Sequence, residues 1–456
     1  MRYFPQGEQD LREMLAAVGV ASPSDLFLSI PETLRVQGDL CLPPAQSEME
    51  LRRTMGRMAA DNASAATHAC FLGAGAYNHY IPAAVWQILL RSEFYTSYTP
   101  YQPEISQGTL QATFEFQSLI AALTEMEISN ASLYDGASAL AEGVLMSARV
   151  TRRSRVVISR AVHPHYRQVA RSYVRNMGIE IEEVGCTPDG RTDLTALRGI
   201  LESGGASAMP AMVALQNPNF FGSLEDLAGA AGVTHASGAL FQVVVNEPMS
   251  LGLLHGPGHY GADVALGEAH ALGTPMSLGG PFLGFMAARE SLLRQMPGRL
   301  VGEAIDAGGR RGYVLTLSTR EQHIRREKAT SNICTNQGLI ATAAAIYMSL
   351  MGRAGMRDVA IQCHSKALHA SRLLARVRGC CQRFSAPFFN EFVIDMPVDA
   401  ETVARRLLDE GIIGGLPLGR YDDTGALSRS MLFCATEMNT LAEIEHLVDA
   451  VSRVAR

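Results

Sequence analysis

The stretch VVISRAVHPHYRQVARSYVRNMGIEIEEV (residues 156–184) places two β-branched runs on either side of a helical pattern. Residues 156–159 and 179–184 are rich in valine and isoleucine, which is typical of buried strands. Residues 164–177 begin with proline and are followed by Gly178, the usual residues at the start and the end of a helix. The stretch therefore predicts a strand, a helix and a second strand.

The same alternation continues along the chain. Residues 194–201 have helical spacing after Thr192, and residues 212–215 and 241–245 are further apolar, strand-like runs. Successive strand–helix units build a mostly parallel sheet with helices on its faces. We therefore predict a large α/β domain over residues 66–339.

Two different patterns flank this domain. Residues 1–65 predict a helical N-terminal arm, in which Ser47 and Glu50 form a capping box; such arms often wrap a partner subunit. Residues 340–456 predict a small α+β domain. Its expected elements, with the helix that leads into it, are helices over 338–352, 357–378, 401–410 and 441–454 and strands over 391–394 and 430–435.

The composition is that of a folded chain of 456 residues, with 47% hydrophobic and 18% charged residues. A net charge of −6 without a basic run predicts no nucleic-acid binding. No apolar signal core follows Met1, and the longest apolar run (338–351) is too short to span a bilayer, so we expect no membrane segment and a cytoplasmic location. The eight scattered cysteines contain no C-x-x-C pair and predict no metal centre.

Several segments carry candidate ligand-binding groups. FYTSYTPYQPEISQG (94–108) predicts a rigid loop that presents hydroxyl, amide and carboxylate groups, although a packed surface loop explains it equally well. GAGAYNHY (73–80) fails the dinucleotide fingerprint, which favours a tight turn. NASLYDGASA (130–139) opens a helix whose free N–H groups suit a phosphate, and capping by Asp135 or Ser138 is the alternative.

The layout resembles that of fold type I enzymes dependent on pyridoxal 5′-phosphate (PLP). In such enzymes His163 would lie where a ring stacks on the pyridine, and Asn246 or Glu247 would replace an aspartate that pairs with the pyridine nitrogen. The Schiff-base lysine should lie within residues 267–281, after the strand at 262–265, but this segment has none. The chain has only Lys328 and Lys366, a scarcity that arginine-favouring codon usage explains.

Longer motifs resemble one family. YTPYQPEISQG (98–108), NASLYDGASA (130–139), GEAHALGTPMSLGGPF (267–282) and REQHIRREKATSNICTNQ (320–337) are similar to the P protein of the glycine cleavage system, in the subunit of its two-subunit form that lacks the lysine. The likeness extends over essentially the whole chain.

The resemblance implies a fold type I heterotetramer with two copies of this chain and two of a homologous subunit. PLP would be bound covalently by that partner subunit, with none bound covalently by this chain, and the active site would lie at their interface. Glycine would be decarboxylated there, and the aminomethyl group would pass to the lipoyl arm of the H protein. The residues nominated to contribute are Tyr98, Tyr101, Gln102 and Glu104 as catalytic groups and Thr330, Ser331 and Asn332 as cofactor-binding groups.

Three alternatives remain open. The chain would be a self-sufficient PLP-dependent decarboxylase or aminotransferase if Lys328 held the cofactor. It would be a purely structural partner if the nominated loops contributed nothing to turnover. The third alternative, a dehydrogenase that uses residues 73–75, is the weakest because the glycine spacing is wrong.

Overall fold

The computed structural model describes residues 5–203, 209–277, 279–333, 335–422 and 424–454. The chain forms two compact units that divide between Asn62 and Ala63. The boundary expected at residue 339 falls inside the second unit and stays a prediction. The helices are α1 (Glu8–Val18), α2 (Glu48–Ala60), α3 (Ala83–Leu89), α4 (Ser92–Tyr95), α5 (Gln107–Thr124), α6 (Gly136–Thr151), α7 (Pro164–Val174), α8 (Leu194–Glu202), α9 (Leu227–Ala236), α10 (Gln322–Arg325), α11 (Gly338–Leu374), α12 (Ala400–Asp409) and α13 (Leu441–Val454).

The strands are β1 (Ala69–Cys70), β2 (Ile128–Ser129), β3 (Arg155–Ser159), β4 (Glu180–Val184), β5 (Met212–Gln216), β6 (Leu240–Val245), β7 (Val264–Glu268), β8 (Gly284–Ala288), β9 (Leu300–Ile305), β10 (Arg311–Thr316), β11 (Cys381–Gln382), β12 (Glu391–Asp395), β13 (Ile412–Ile413), β14 (Leu416–Pro417) and β15 (Ser430–Cys434). The strands expected over 156–159, 179–184, 212–215 and 241–245 are thus confirmed to within one residue at each end.

The first unit is helical, as expected for an N-terminal arm. Its α2 starts with the predicted capping box: the N–H of Glu50 donates to Ser47 Oγ at 3.3 Å, and the N–H of Ser47 donates to Glu50 Oε2 at 2.9 Å. Among the described residues 5–62 none is buried. Apolar side chains such as Leu11, Met14 and Met55 are therefore about half exposed.

The central sheet of the second unit has the strand order β2-β8-β7-β6-β5-β3-β4. Strands β4, β3, β5, β6 and β7 pair with their neighbours in parallel, in that spatial order. Strand β8 is antiparallel to both β7 and β2. The predicted mostly parallel sheet is confirmed. Because parallel strands end at one edge, the residues after β3, β6 and β7 meet there, and this edge holds the first candidate site.

Helices cover both faces of this sheet, and successive strand residues alternate between two cores. Val156 and Val244 pack with Leu140 of α6 in one core, whereas Val157 and Val243 pack with α11 in the other. All of these side chains are fully buried. Burial of one such valine or leucine stabilises the fold by roughly 1.5–3 kcal/mol.

Helix α11 joins the regions before and after residue 340. Sequence spacing predicted separate helices over 338–352 and 357–378, and α11 does consist of two helical segments that meet at a kink, where Gly352 is non-helical (φ 58°, ψ −176°). A backbone conformation of this kind favours glycine. By length and composition α11 would be able to span a membrane, yet half of its most apolar window is buried, and Tyr347 is fully enclosed in the core. We interpret α11 as a core helix.

The C-terminal region has a four-stranded antiparallel sheet in the order β11-β12-β15-β14. Helices α12 and α13 share a hydrophobic core with this sheet, and α13 has the predicted limits. Two smaller pairs complete the second unit: β9 and β10 form an antiparallel hairpin, and β1 pairs with β13 in parallel. The β1–β13 pair links the first strand of the unit to its C-terminal region.

Candidate functional site

The start of α6, where a cofactor phosphate would be expected, already has two carboxylates bound to it. Asp135 Oδ1 accepts from the N–H of Ser138 at 2.6 Å, and Glu268 Oε2 accepts from the N–H of Gly136 at 3.0 Å. Burial raises the pKa of Glu268 to about 7, although three backbone N–H donors act in the opposite direction. These two side chains occupy two of the first-turn donors that a phosphate would use.

Tyr166 fills the space between α6 and the end of β6. Its hydroxyl donates to Asn246 Oδ1 at 2.7 Å, and its hydroxyl oxygen would lie only 2.3 Å from a Cβ placed on Gly136. Tyr166 itself is 8% exposed. The hydroxyl of Tyr166 thus already bonds to the amide oxygen of Asn246, the atom that would face a protonated pyridine nitrogen.

His163 caps α7, as its position in the sequence predicted. Its Nε2 lies 3.0 Å from the carbonyl oxygen of Ala74, and its Nδ1 accepts from the N–H of His165 at 3.2 Å. Burial lowers the pKa of His163 to about 4. The ring is therefore neutral at physiological pH, with its proton on Nε2, and both nitrogens are engaged within the fold.

Glu247, the other candidate at this strand end, belongs to a buried ionic cluster. Its Oε2 lies 3.1 Å from His79 Nε2, and its Oε1 accepts from the N–H of Met249 at 2.9 Å. On the opposite side of the ring, His79 Nδ1 lies 2.7 Å from Glu437 Oε2. Burial opposes a charge on this ring, but the two carboxylates and Cys363 raise the pKa of His79 well above its usual 6.5. A buried imidazolium thus holds Glu247.

The segment that would carry the Schiff-base lysine presents a histidine instead. His270 is 1% exposed, and its Nε2 lies 2.8 Å from the carbonyl oxygen of Pro275. Its Nδ1 has no hydrogen-bond partner among the described residues. Burial lowers the pKa of His270, so the ring stays neutral. Neither nitrogen offers the primary amine that an aldehyde cofactor requires.

The two lysines of the chain lie elsewhere. Lys328 is exposed at the end of a 3₁₀ turn. Lys366 is half-buried, and its ammonium group donates to the carbonyl oxygen of Glu437 at 2.5 Å.

These contacts decide whether the strand-end pocket of this chain fits PLP. The phosphate donors are bound by Asp135 and Glu268, Tyr166 fills the adjoining space, and the segment after β7 has no amine. The residues present therefore do not fit the cofactor.

A second candidate site is a cavity of about 300 Å³ beside the 94–108 loop. Tyr98, Thr99 and Pro100 line it, together with Arg299, which is only 3% exposed. Arg299 Nη1 donates to Thr99 Oγ1 at 3.3 Å, and Nη2 donates to Tyr101 Oη at 3.1 Å. The loop and a buried guanidinium therefore form one structure.

Arg299 has further capacity to donate. Its Nε lies 3.5 Å from Glu321 Oε2, yet neither Nε nor Glu321 Oε1 has a hydrogen-bond partner among the described residues. A guanidinium carries five N–H donors, and a buried ion pair is favourable only when its remaining donors and acceptors are satisfied. Among the described residues that line the cavity, Arg299 is the one that carries a charge.

The start of α11 contributes to the same cavity. Asn336 Nδ2 donates to the carbonyl oxygen of Ala131 at 2.9 Å and to Ser132 Oγ at 3.0 Å, which fixes the segment before the helix. Gly338 lines the cavity, and no described side chain caps α11. Because the first N–H groups of a helix have no intrahelical acceptor and carry a partial positive charge, this wall attracts anions. The cavity therefore suits a carboxylate or a phosphate.

The nominated residues are only partly brought together. Tyr98 lines the cavity and Tyr101 contacts Arg299 behind it, whereas Gln102 and Glu104 lie on the same loop outside the cavity lining; all four residues are exposed. Their nomination as catalytic groups stays a prediction.

Thr330, Ser331 and Asn332 line a different cleft, of about 670 Å³, with Glu142 and Arg149. Arg149 Nη1 donates to the carbonyl oxygen of Thr330 at 3.1 Å. Burial raises the pKa of Glu142, with opposing effects from Ser331 and Arg149. A phosphate-binding role of Thr330 to Asn332 therefore stays a prediction, in surroundings that include a buried carboxyl group.

Sequence reasoning missed Arg299 and did not nominate Asn336. The one local signal for Arg299 was a charged residue set between Gly298 and the apolar start of β9. Such a residue is more often a surface arginine, and only its burial identifies it as part of a site.

Comparisons with known proteins place this architecture in a family. The family model "Glycine cleavage system P-protein" matches residues 1–451. A "Probable glycine dehydrogenase (decarboxylating) subunit 1" of Moorella thermoacetica is 49% identical over 451 residues, which are 99% of each chain.

Solved structures are similar as well. A glycine decarboxylase (P-protein) of the glycine cleavage system, in an inhibitor-bound form, superposes with a TM-score of 0.88 at 43% identity over the whole of both chains. A cysteine desulfurase from Thermococcus onnurineus superposes with a TM-score of 0.61 at 15% identity and covers 91% of this chain and 99% of its own, which shows the fold alone. The predicted fold type I PLP-dependent transferase-like architecture is confirmed. The chain belongs to the glycine cleavage system P-protein family.

Proposed function

We propose that this chain is subunit 1 of a two-subunit glycine decarboxylase and that a homologous partner subunit binds PLP through its own lysine. The observation that carries the proposal is the contrast between two sites. The strand-end pocket of this chain is filled by Tyr166, Asp135 and Glu268, whereas the cavity beside Arg299 is open and lined with donors. We expect a cytoplasmic complex of two plus two subunits that decarboxylates glycine and passes the aminomethyl group to the lipoylated H protein.

In this proposal the chain supplies binding groups to a composite site at the subunit interface. Arg299 and the start of α11 would hold an anion, while Tyr98 and Tyr101 would position the groups beside it. Two anions are available in such an enzyme: the carboxylate of glycine and the phosphate of the partner's cofactor. Both are planar or tetrahedral oxyanions that a guanidinium and helix N–H groups recognise.

Cofactor retention by the separate subunits tests this division of labour. The isolated chain, incubated with PLP and reduced with borohydride, is expected to keep no covalently bound cofactor in intact-mass spectra, because neither lysine lies in the filled pocket. The chain assembled with the partner subunit is expected to exchange the carboxyl carbon of glycine with labelled bicarbonate. Reduced cofactor on Lys328 would contradict the proposal and support a self-sufficient enzyme.

Substitution of Tyr101 with phenylalanine tests the contribution of the loop. The change removes the acceptor of Arg299 Nη2 and leaves the ring in place. Tyr101 is 48% exposed, so loss of this part-buried bond costs about 0.5–1.5 kcal/mol, and we expect kcat/KM for glycine in the complex to fall about 2- to 10-fold. The control is Tyr95→Phe, at an exposed tyrosine in α4. If Tyr101→Phe turns over as well as this control and assembly is intact, the loop has only a structural role.

A further inference from the structure

Three metal-ligating side chains converge at the end of α5, away from both candidate sites. Glu125, the residue that caps α5, lies opposite His255, which precedes the 3₁₀ turn Pro257–Tyr260, and His259, which lies within that turn. His255 Nδ1 lies 3.2 Å from Glu125 Oε1, and His259 Nδ1 lies 3.7 Å from Glu125 Oε2. The two imidazole rings stack with centroids 3.9 Å apart.

The backbone holds these three residues together. Glu125 has a left-handed conformation (φ 55°), and its Oε1 accepts from the N–H of Gly256 at 2.9 Å. A Cβ on Gly256 would lie 2.4 Å from the carbonyl carbon of Thr124, and one on Gly258 would lie 1.8 Å from the carbonyl oxygen of Glu125. Because backbone atoms cannot give way as a flexible side chain can, the turn reaches Glu125 only with glycine at both positions.

The spacing of the donor atoms fits a tetrahedral ion. Bonds of about 2.0–2.1 Å to zinc place neighbouring ligand atoms roughly 3.3–3.5 Å apart. The distances from His255 Nδ1 and His259 Nδ1 to the Glu125 carboxylate oxygens, 3.2 and 3.7 Å, lie on either side of this range. All three ligand atoms lie within 4.8 Å of one another. The histidine side chains are 62% and 48% exposed, so the rings have room to turn their nitrogens toward one ion.

We propose that Glu125, His255 and His259 bind one divalent transition-metal ion of the zinc class and leave its remaining coordination positions open to solvent. Imidazole nitrogens with one carboxylate favour zinc, nickel or copper over magnesium and calcium. The bound ion ties the end of α5 to the turn before β7. This site is independent of the proposed decarboxylase function.

A second triad in the chain is a poorer candidate. His79, Cys363 and Glu437 also bring their ligand atoms within 4.8 Å. However, both nitrogens of His79 are already bound between Glu247 and Glu437, and the ring is cationic. An imidazolium has no lone pair for a metal, and this ring is fully enclosed, whereas the side chains of His255 and His259 are 62% and 48% exposed.

Metal titration of the full-length chain tests the proposal. After treatment with a chelator, the chain is dialysed against Zn²⁺ or Mg²⁺, and bound metal is counted by elemental analysis. We expect the parent chain to bind one Zn²⁺ and no comparable amount of Mg²⁺. In His255→Ala, His259→Ala and Glu125→Gln, we expect the affinity for Zn²⁺ to fall at least tenfold. The control is His235→Ala, which removes a histidine paired with Asp263.

Two further readouts make the result decisive. Co²⁺ bound at this site is expected to give visible d–d bands without a thiolate charge-transfer band, which separates it from binding at a cysteine. Zn²⁺ is expected to raise the Tm of the parent chain and of His235→Ala, but not that of the three site variants. Equal zinc affinity in all variants, or a thiolate band with the parent chain, would overturn the proposal.

Discussion

In the assembled two-subunit enzyme, Arg299→Met is expected to lower kcat/KM for glycine by about 10²- to 10³-fold. Arg299 is the buried charge on the wall of the 300 Å³ cavity, and it holds Thr99 and Tyr101 of the 94–108 loop. Loss of one preorganised donor to a reacting anion typically costs this much. Steady-state rates of glycine-dependent exchange of labelled bicarbonate measure the effect.

The nature of the loss identifies the anion. A raised KM for glycine with normal cofactor content indicates that the cavity holds the substrate carboxylate. A lowered cofactor content that excess PLP restores indicates that it holds the partner's phosphate. The control is Arg311→Met, at an arginine in β10 whose side chain is 64% exposed. Activity equal to that of this control would exclude the cavity from the site.

Stability must be separated from activity at this position. The Arg299→Met substitution removes the guanidinium from Glu321, whose side chain is 10% exposed, and leaves His323 Nδ1 at 3.7 Å as its remaining ion-pair partner among the described residues, which costs on the order of 1–3 kcal/mol. The double variant Arg299→Met, Glu321→Gln removes both charges, and we expect it to regain most of the lost Tm. Its activity is expected to stay low, because the anion-binding donor is still absent. Recovery of activity along with Tm would show that Arg299 acts only through folding.

His79→Ala is expected to give the largest loss of stability, about 3–5 kcal/mol in the free energy of unfolding. The substitution leaves the carboxylates of Glu247 and Glu437 facing each other in the interior without the imidazolium between them. Chemical denaturation at neutral pH measures the loss. His369→Ala, at an exposed histidine of α11, is the control, and we expect it to unfold as the parent chain does.

The pH dependence of this difference follows from the pKa shifts. The pKa of His79 is higher in the folded chain than its unfolded value of 6.5. Its contribution to the free energy of unfolding is therefore complete below pH 6.5 and is lost as the pH rises through the folded pKa. Burial acts to raise the pKa of Glu437, but His79 lowers it below its usual 4.5, so that contribution disappears as pH falls through the lower folded value. The difference in the free energy of unfolding between the parent chain and His79→Ala should be largest between about pH 4.5 and 6.5. A difference that grows steadily above pH 8 would contradict this assignment.

The fold was predictable from the sequence because its signals are local. The β-branched runs at 156–159 and 241–245, the Pro164 and Gly178 limits of a helix and the Ser47 capping box each depend on residues a few positions apart. The C-terminal limit of α7 was predicted three residues too late, because residues 175–178 already turn toward β4. The break expected after residue 352 is confirmed, because two helical segments meet at a kink at Gly352.

The sequence by itself determined the parallel α/β fold and the absence of a lysine from residues 267–281, because hydrophobic period and residue identity are written in the chain. The tertiary structure decided that this chain's own pocket does not fit the cofactor, since Tyr166, Asn246 and Glu268 meet there from three separate segments. It also decided that Arg299 is buried beside the 94–108 loop, about 200 residues from it in sequence. Contacts over such separations depend on how strands and helices pack, and no local pattern of residues records them.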